Sequence, residues 1–162
     1  MIIIKQYMLE EDEAGCFHVR SCEVNVCPIC GHAVFVIGTR KRKCIKEDGE
    51  RLMLIIRRLR CKDCRIIHHE LPDILIPYKR HCADTVEKVI SGNDGDVCCE
   101  SRTINRIKIW WAACRLYFES VLASLREKYG DVFSPVLAPR EIVRAVANAN
   151  LWAHTRSACL SG

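Results

Sequence analysis

Cys27-Pro28-Ile29-Cys30-Gly31 and Cys61-Lys62-Asp63-Cys64 stand on either side of a run of mostly β-type sequence. Two residues between ligands let a tight turn aim both thiolates at one tetrahedral ion about 2.3 Å away, while amides of the turn offset their charge. Strands that leave such a site and return to it account for the separation of the two pairs. The pattern therefore predicts a four-cysteine Zn2+ site of Cys27, Cys30, Cys61 and Cys64 in a zinc-ribbon β lobe. Four sulfurs fill the coordination sphere, so this ion would organise the fold and would not activate water.

Working outward from the pairs, residues 33–37, 40–46 and 51–59 carry strand signals. Glu47-Asp48-Gly49-Glu50 joins the last two as a hairpin connector in which Gly49 is free to take positive φ. Upstream, strands are expected at 2–8 and 16–21, flanking the acidic cluster Glu10, Glu11, Asp12 and Glu13. A short strand after Arg65 leads into Leu71-Pro72-Asp73, and Pro77 closes the β part.

Helical periodicity follows. Residues 82–91 place Val86, Val89 and Ile90 on one face, with Gly92-Asn93 as a stop. Ser101 suits the N-cap of a long helix whose seam reads Ile104, Ile107, Trp111, Cys114, Phe118, Val121 and Leu125, ended by Gly130. Its length of roughly 40 Å needs a cover. A third helix from Pro139 or Arg140, bearing Ile142, Val143 and Val146, can supply it after a reversal at Ser134-Pro135; the alternative is a homodimer through the long helix. The fold class expected is α+β: a zinc-ribbon β domain over 1–80, a helical domain over 81–150 with a candidate helix-turn-helix, and a loosely ordered tail over 151–162.

Other thiols compete weakly for the ion. Cys22 and Cys44 could each replace a ligand, whereas Cys16, Cys82, Cys98, Cys99, Cys114 and Cys159 lack paired spacing and are expected to be buried. His68 and His69 face opposite ways on a strand and read as packing or phosphate-facing residues. His68-His69-Glu70 contains H-x-E, but both cysteine pairs precede it and neither has proline just before its first cysteine, which excludes the deaminase pattern. Phosphate-loop, dinucleotide and serine-hydrolase motifs are missing, so no enzyme chemistry is expected.

The 162 residues allow one ordinary domain or two small ones, and 49% hydrophobic with 28% charged residues is ordinary for a folded chain. No apolar run approaches the ~20 residues of a membrane span, and the start lacks the basic and apolar parts of a signal peptide. A cytoplasmic chain with reduced thiols and no membrane association is expected, which favours metal over disulfides for the 12 cysteines. Net charge is +5, and residues 40–62 hold ten basic residues, among them Arg40, Lys41, Arg42 and Lys43, against three acidic ones. Such concentration suits a polyanion. Near the long helix's start, Arg102, Asn105, Arg106 and Lys108 lie opposite the apolar seam, where arginine can read guanine and asparagine adenine.

Taken with Arg57-Arg58-Leu59-Arg60 before the second pair, and with Leu71-Pro72-Asp73, Pro77-Tyr78-Lys79-Arg80 and residues 101–111, these motifs resemble the zinc-ribbon plus helix-turn-helix front end of bacterial insertion-sequence transposases. They are also similar to a small bacterial family of unknown function with the same layout. The resemblance spans about residues 20–128 and implies double-stranded DNA as partner, with Lys79 and Arg80 joining the basic contacts and transposition or regulatory proteins nearby. It departs at Arg65, where the second knuckle often has glycine. Too little chain remains for a transposase catalytic domain. The expected function is a DNA-binding accessory or regulatory protein of a mobile element. The alternatives are a ribbon that binds RNA or a protein machine such as RNA polymerase, and a cysteine-based redox enzyme.

Overall fold

A computed structural model describes residues 1–130 and 138–153. Among them the chain is α+β, a curled six-stranded sheet followed by three α-helices. The strands are β1 (Ile2–Ile4), β2 (Tyr7–Glu11), β3 (Cys16–Ser21), β4 (Val34–Ile45), β5 (Arg51–Cys61) and β6 (Ile67–Pro72). The helices are α1 (Ala83–Ile90), α2 (Ser101–Tyr129) and α3 (Pro139–Asn148), with a 3-10 turn at Asp94–Asp96.

β5 is the axis of the sheet. β4 pairs antiparallel along its whole length, so β6 and β3 divide the other edge, β6 antiparallel at residues 58–60 and β3 parallel at 53–55. β1 extends the sheet parallel to β6, and β2 hairpins onto β3. Along β5 the buried face changes: Leu54 and Ile56 are buried on one side, Leu59 and Cys61 on the other, with Arg57-Arg58 at the changeover. Alternation of side chains should keep one face inward throughout a flat strand. The sheet accommodates the change by bulging opposite it, between Val36 and Gly38, where Gly38 takes φ 151°.

That bulge explains why residues 33–37 and 40–46, expected as two strands, form the single strand β4. The expected strand at 2–8 divides instead. The Glu23 carboxylate accepts from the amides of Lys5 at 2.6 Å and Gln6 at 2.7 Å, which takes both out of ladder pairing and separates β1 from β2.

The helices cover β1 and one side of the sheet with a continuous apolar cluster. α3 is tied to β1 by Asn148, whose Oδ1 accepts from Ile3 N–H at 2.7 Å and whose Nδ2 donates to the Ile3 carbonyl at 2.9 Å. On α2 the fully buried stripe is Ile107, Trp110, Cys114, Phe118, Val121, Leu122 and Leu125; Ile104 and Trp111 are only half-buried. Trp110 lies inward of its neighbour because α1 and α3 both pack on α2, and Phe118 meets its ring at 6.4 Å and that of Trp152 at 5.6 Å. Val143 and Val146 of α3 are buried and Ile142 is half-buried. Ser101 begins the helix instead of capping it; Glu100 holds the cap position without a side-chain bond. The Ser134-Pro135 reversal, Cys159 and the tail beyond residue 153 lie outside the described residues.

The α1 to α2 connection is long. The short helical turn forms at Asp94–Asp96, while Cys98 donates its amide to the Glu47 carbonyl at 2.7 Å and is drawn to the β4–β5 turn. A helix-turn-helix joins its helices with three or four residues; here residues 91–100 intervene.

Candidate metal centre

Two β-type turns carry the cysteine pairs to one end of β5. Cys27 N–H donates to the His32 carbonyl and Gly31 N–H to the Cys27 carbonyl, both at 2.8 Å, closing the first turn; Cys61 N–H closes the second on the Ile66 carbonyl at 3.0 Å. Each turn needs a left-handed residue just after the second cysteine. Gly31 supplies it at φ 75°, and Arg65 supplies it at φ 62° despite its side chain, so the two turns share the same backbone shape. Lys62 N–H, bound to the Ala33 carbonyl at 3.0 Å, stitches them together.

All four sulfurs lie within 4.8 Å of one another. Cys27 Sγ is 3.6 Å from Cys64 Sγ, and Cys30 Sγ is 3.4 Å from Cys61 Sγ. A tetrahedron of sulfurs ~2.3 Å from a central ion has edges of about 3.8 Å, whereas a disulfide closes to about 2.05 Å. The arrangement fits a metal ion and not a pair of disulfides. Neither alternative ligand joins it among the described residues: Cys22 is exposed, and Cys44 is buried in contact with Cys82, which caps α1. Of the thiols expected to be buried, Cys16, Cys82 and Cys114 are, Cys99 is half-buried, and Cys98 is exposed.

The surroundings favour thiolate at one corner and resist it at another. Donation from the His32 amide, and then from its ring, pulls the Cys30 thiol down to about 6. The Ile66 amide pulls Cys64 the same way, but burial and the three neighbouring sulfurs outweigh it and push that thiol up to about 12. His32, in turn, is raised by its bond to Cys30 and by the Asp63 carboxylate, 3.7 Å from its ring.

His68 is the part that motif spacing does not reveal. It faces inward from β6, 2% exposed, with Nε2 3.4 Å from Cys27 Sγ, while His69 faces outward beside Arg40 and Arg58. Burial, and then the charge of the N-terminal ammonium, lower the His68 pKa and favour the neutral ring. Were Cys27 to bind a metal as a thiolate, which only accepts, Nε2 would carry the ring proton and donate it. Outer partners of this kind commonly contribute 10–100-fold in metal affinity. His68→Leu is expected to weaken binding by about that factor in a chelator-competition titration, and His68→Gln to restore part of it; equal affinities for all three would refute the role.

Next to His68 on β6, Glu70 is fully buried. Arg57 grips it with Nε at 2.5 Å and Nη2 at 2.7 Å, and Asn25 Nδ2 donates at 2.7 Å. Asn25 stands two residues before Cys27, so this ion pair fixes the first turn against β5 and β6.

The predicted basic contacts are partly gathered. Strand alternation puts Arg40 and Arg42 on one face of β4 and Lys41 and Lys43 on the other. Arg42 reaches the segment before α1, Nη2 donating to the Lys79 carbonyl at 2.9 Å; burial and then the charge of Arg40, with Arg80 also near, lower its pKa. Arg80 and Arg106 line one cleft with Arg51, a residue outside the predicted set. Arg102, Asn105 and Arg106 are exposed on the first turns of α2, whereas Lys108 is engaged by Asp94 at 2.6 Å. No described helix is long and apolar enough to cross a membrane.

Residues 27–107, which run from the first metal-site cysteine into α2, match the family described as a domain of unknown function, DUF6431. No curated protein and no solved structure matches the chain.

Proposed function

The chain belongs to the DUF6431 family, whose match covers half of it, and from its own residues we propose a zinc-dependent DNA-binding accessory or regulatory protein. Zinc is the metal of choice because four thiolates in a tetrahedron suit it, and it would hold the two turns of a zinc ribbon together. What the chain itself contributes is position: Cys27, Cys30, Cys61 and Cys64 converge, His68 Nε2 meets Cys27 Sγ, and Glu70 locks Arg57 and Asn25. No catalytic step belongs to the reading. Its place beside a mobile element rests on the transposase resemblance alone.

The observation that carries the DNA reading is the convergence of cationic side chains from separate elements. Arg42 of β4 lies near both Arg40 and Arg80, and Arg80 shares a cleft with Arg106 of α2. Basic residues dispersed for solubility have no reason to accumulate against their own repulsion. Duplex DNA offers one negative charge per ~1.7 Å of axis to offset it.

Binding to a random duplex, followed by anisotropy at two salt concentrations, tests this. Affinity should fall steeply with salt, and Arg102→Ala or Arg106→Ala should each reduce the slope of log K against log salt by about 1. Lys108→Ala, already paired with Asp94, should change it least. Salt-independent binding, or slopes untouched by the arginine variants, would favour the RNA or protein-machine reading instead. A homodimer belongs to the same proposal, favoured by Ile109 and Leu116, 69% and 77% exposed two turns apart on α2; molar mass by light scattering decides it.

A further inference from the structure

Between the start of α2, the β4–β5 turn and the segment at Tyr78–His81 lies a cleft of about 1030 Å³. Ile45, Val86, Val97 and Ile107 give it apolar lining, and Arg51, Lys79, Arg80 and Arg106 surround it against one carboxylate, Glu100. Lys79 sits with Nζ 4.1 Å over the Trp110 ring. Among the described residues no ion pair engages Arg51, Arg80 or Arg106. The cleft is large for an isolated phosphate and comparable to pockets that take drug-sized ligands, a range that includes a nucleotide.

At its rim Tyr78 holds an unusual backbone. Pro77 precedes it, the Lys79 amide donates to the Ile76 carbonyl at 3.1 Å, and Tyr78 itself has φ 62°. This is the pattern of a type II turn, whose third position ordinarily takes glycine or asparagine. The Tyr78 ring is 60% exposed and lines the cleft together with Arg51, Arg80 and Arg106. An aromatic face beside a cationic wall is how proteins hold unpaired nucleotides: the base stacks and the backbone phosphate meets arginine.

We propose that this cleft holds one unstacked nucleotide of the bound DNA, its phosphate on Arg51, Arg80 and Arg106 and its base against Tyr78. The inference rests on the DNA reading and specifies what that surface selects: ends or interruptions of a duplex, where a base is free of its partner, over continuous double helix.

The test compares a blunt duplex with the same duplex bearing a short single-stranded overhang, using the full-length, metal-loaded protein. The overhang should bind about tenfold more tightly. Tyr78→Gly, which suits the turn, should abolish that advantage, and Tyr78→Phe should retain it. Equal affinity for both duplexes, or an advantage that survives Tyr78→Gly, overturns the cleft and leaves the DNA reading standing. Binding to neither overturns both.

Discussion

Cys61→Ser protein should be recovered without its metal and without a cooperative unfolding transition. Cys61 is fully buried at the end of β5, its sulfur 3.4 Å from Cys30 Sγ, so no surface thiol can move in to replace it. Structural zinc contributes apparent free energies of about 10–16 kcal/mol in small zinc-binding peptides. Whole domains are stable by only ~5–15 kcal/mol. A bound zinc ion would thus contribute as much as a whole domain's net stability, and its loss should leave at most a loosely packed state. Metal analysis and circular dichroism melts check both halves, with Cys98→Ser, an exposed thiol outside the cluster, as the control that keeps metal and melting behaviour. A Cys61→Ser chain that retains one ion and melts like the parent would remove the four-sulfur site.

The second large effect is expected at Arg57→Leu. Glu70 is fully buried and is held by two Arg57 nitrogens, Nε and Nη2, and by Asn25. Removing the guanidinium strands a carboxylate in the interior, which costs about 3–5 kcal/mol in comparable buried pairs. Removing both charges costs far less, because two apolar side chains fill the space without desolvated ions. Urea unfolding of metal-loaded protein should therefore rank Arg57→Leu well below the Arg57→Leu/Glu70→Leu double variant. Equal losses in the single and double variants, or a single-variant loss under about 1 kcal/mol, would mean that the pair is solvated in practice.

What was legible in the chain was what is encoded locally. Cys-x2-Cys spacing predicts a turn that points two sulfurs one way, Gly49 marks the β4–β5 hairpin, and the 3.6 period locates α1, α2 and α3. Long-range pairing was not legible: nothing near Cys16 signals that it lies parallel to Met53, nor near Ile2 that it pairs with Glu70. Trp110 and Trp111 fit the apolar period almost equally, and only packing from both sides of α2 selects the former. His68 escaped because its role depends on β6 returning beside the cysteines, although a histidine on the strand next to a cysteine pair is a signal worth weighing. The basic run at 40–43 read as one patch, whereas strand geometry sends alternate members to opposite faces.

The change of buried face along β5 bears on how the molecule comes apart. Leu54, Ile56 and Leu59 join the core shared with the helices, Cys61 ends the strand among the sulfurs, and one backbone of eleven residues carries all four. A protein assembled from separable modules can lose one while the other survives. Here the strand cannot melt at its cysteine end without withdrawing the support that the helical layer leans on, so metal occupancy and helix order should rise and fall as a single foldon.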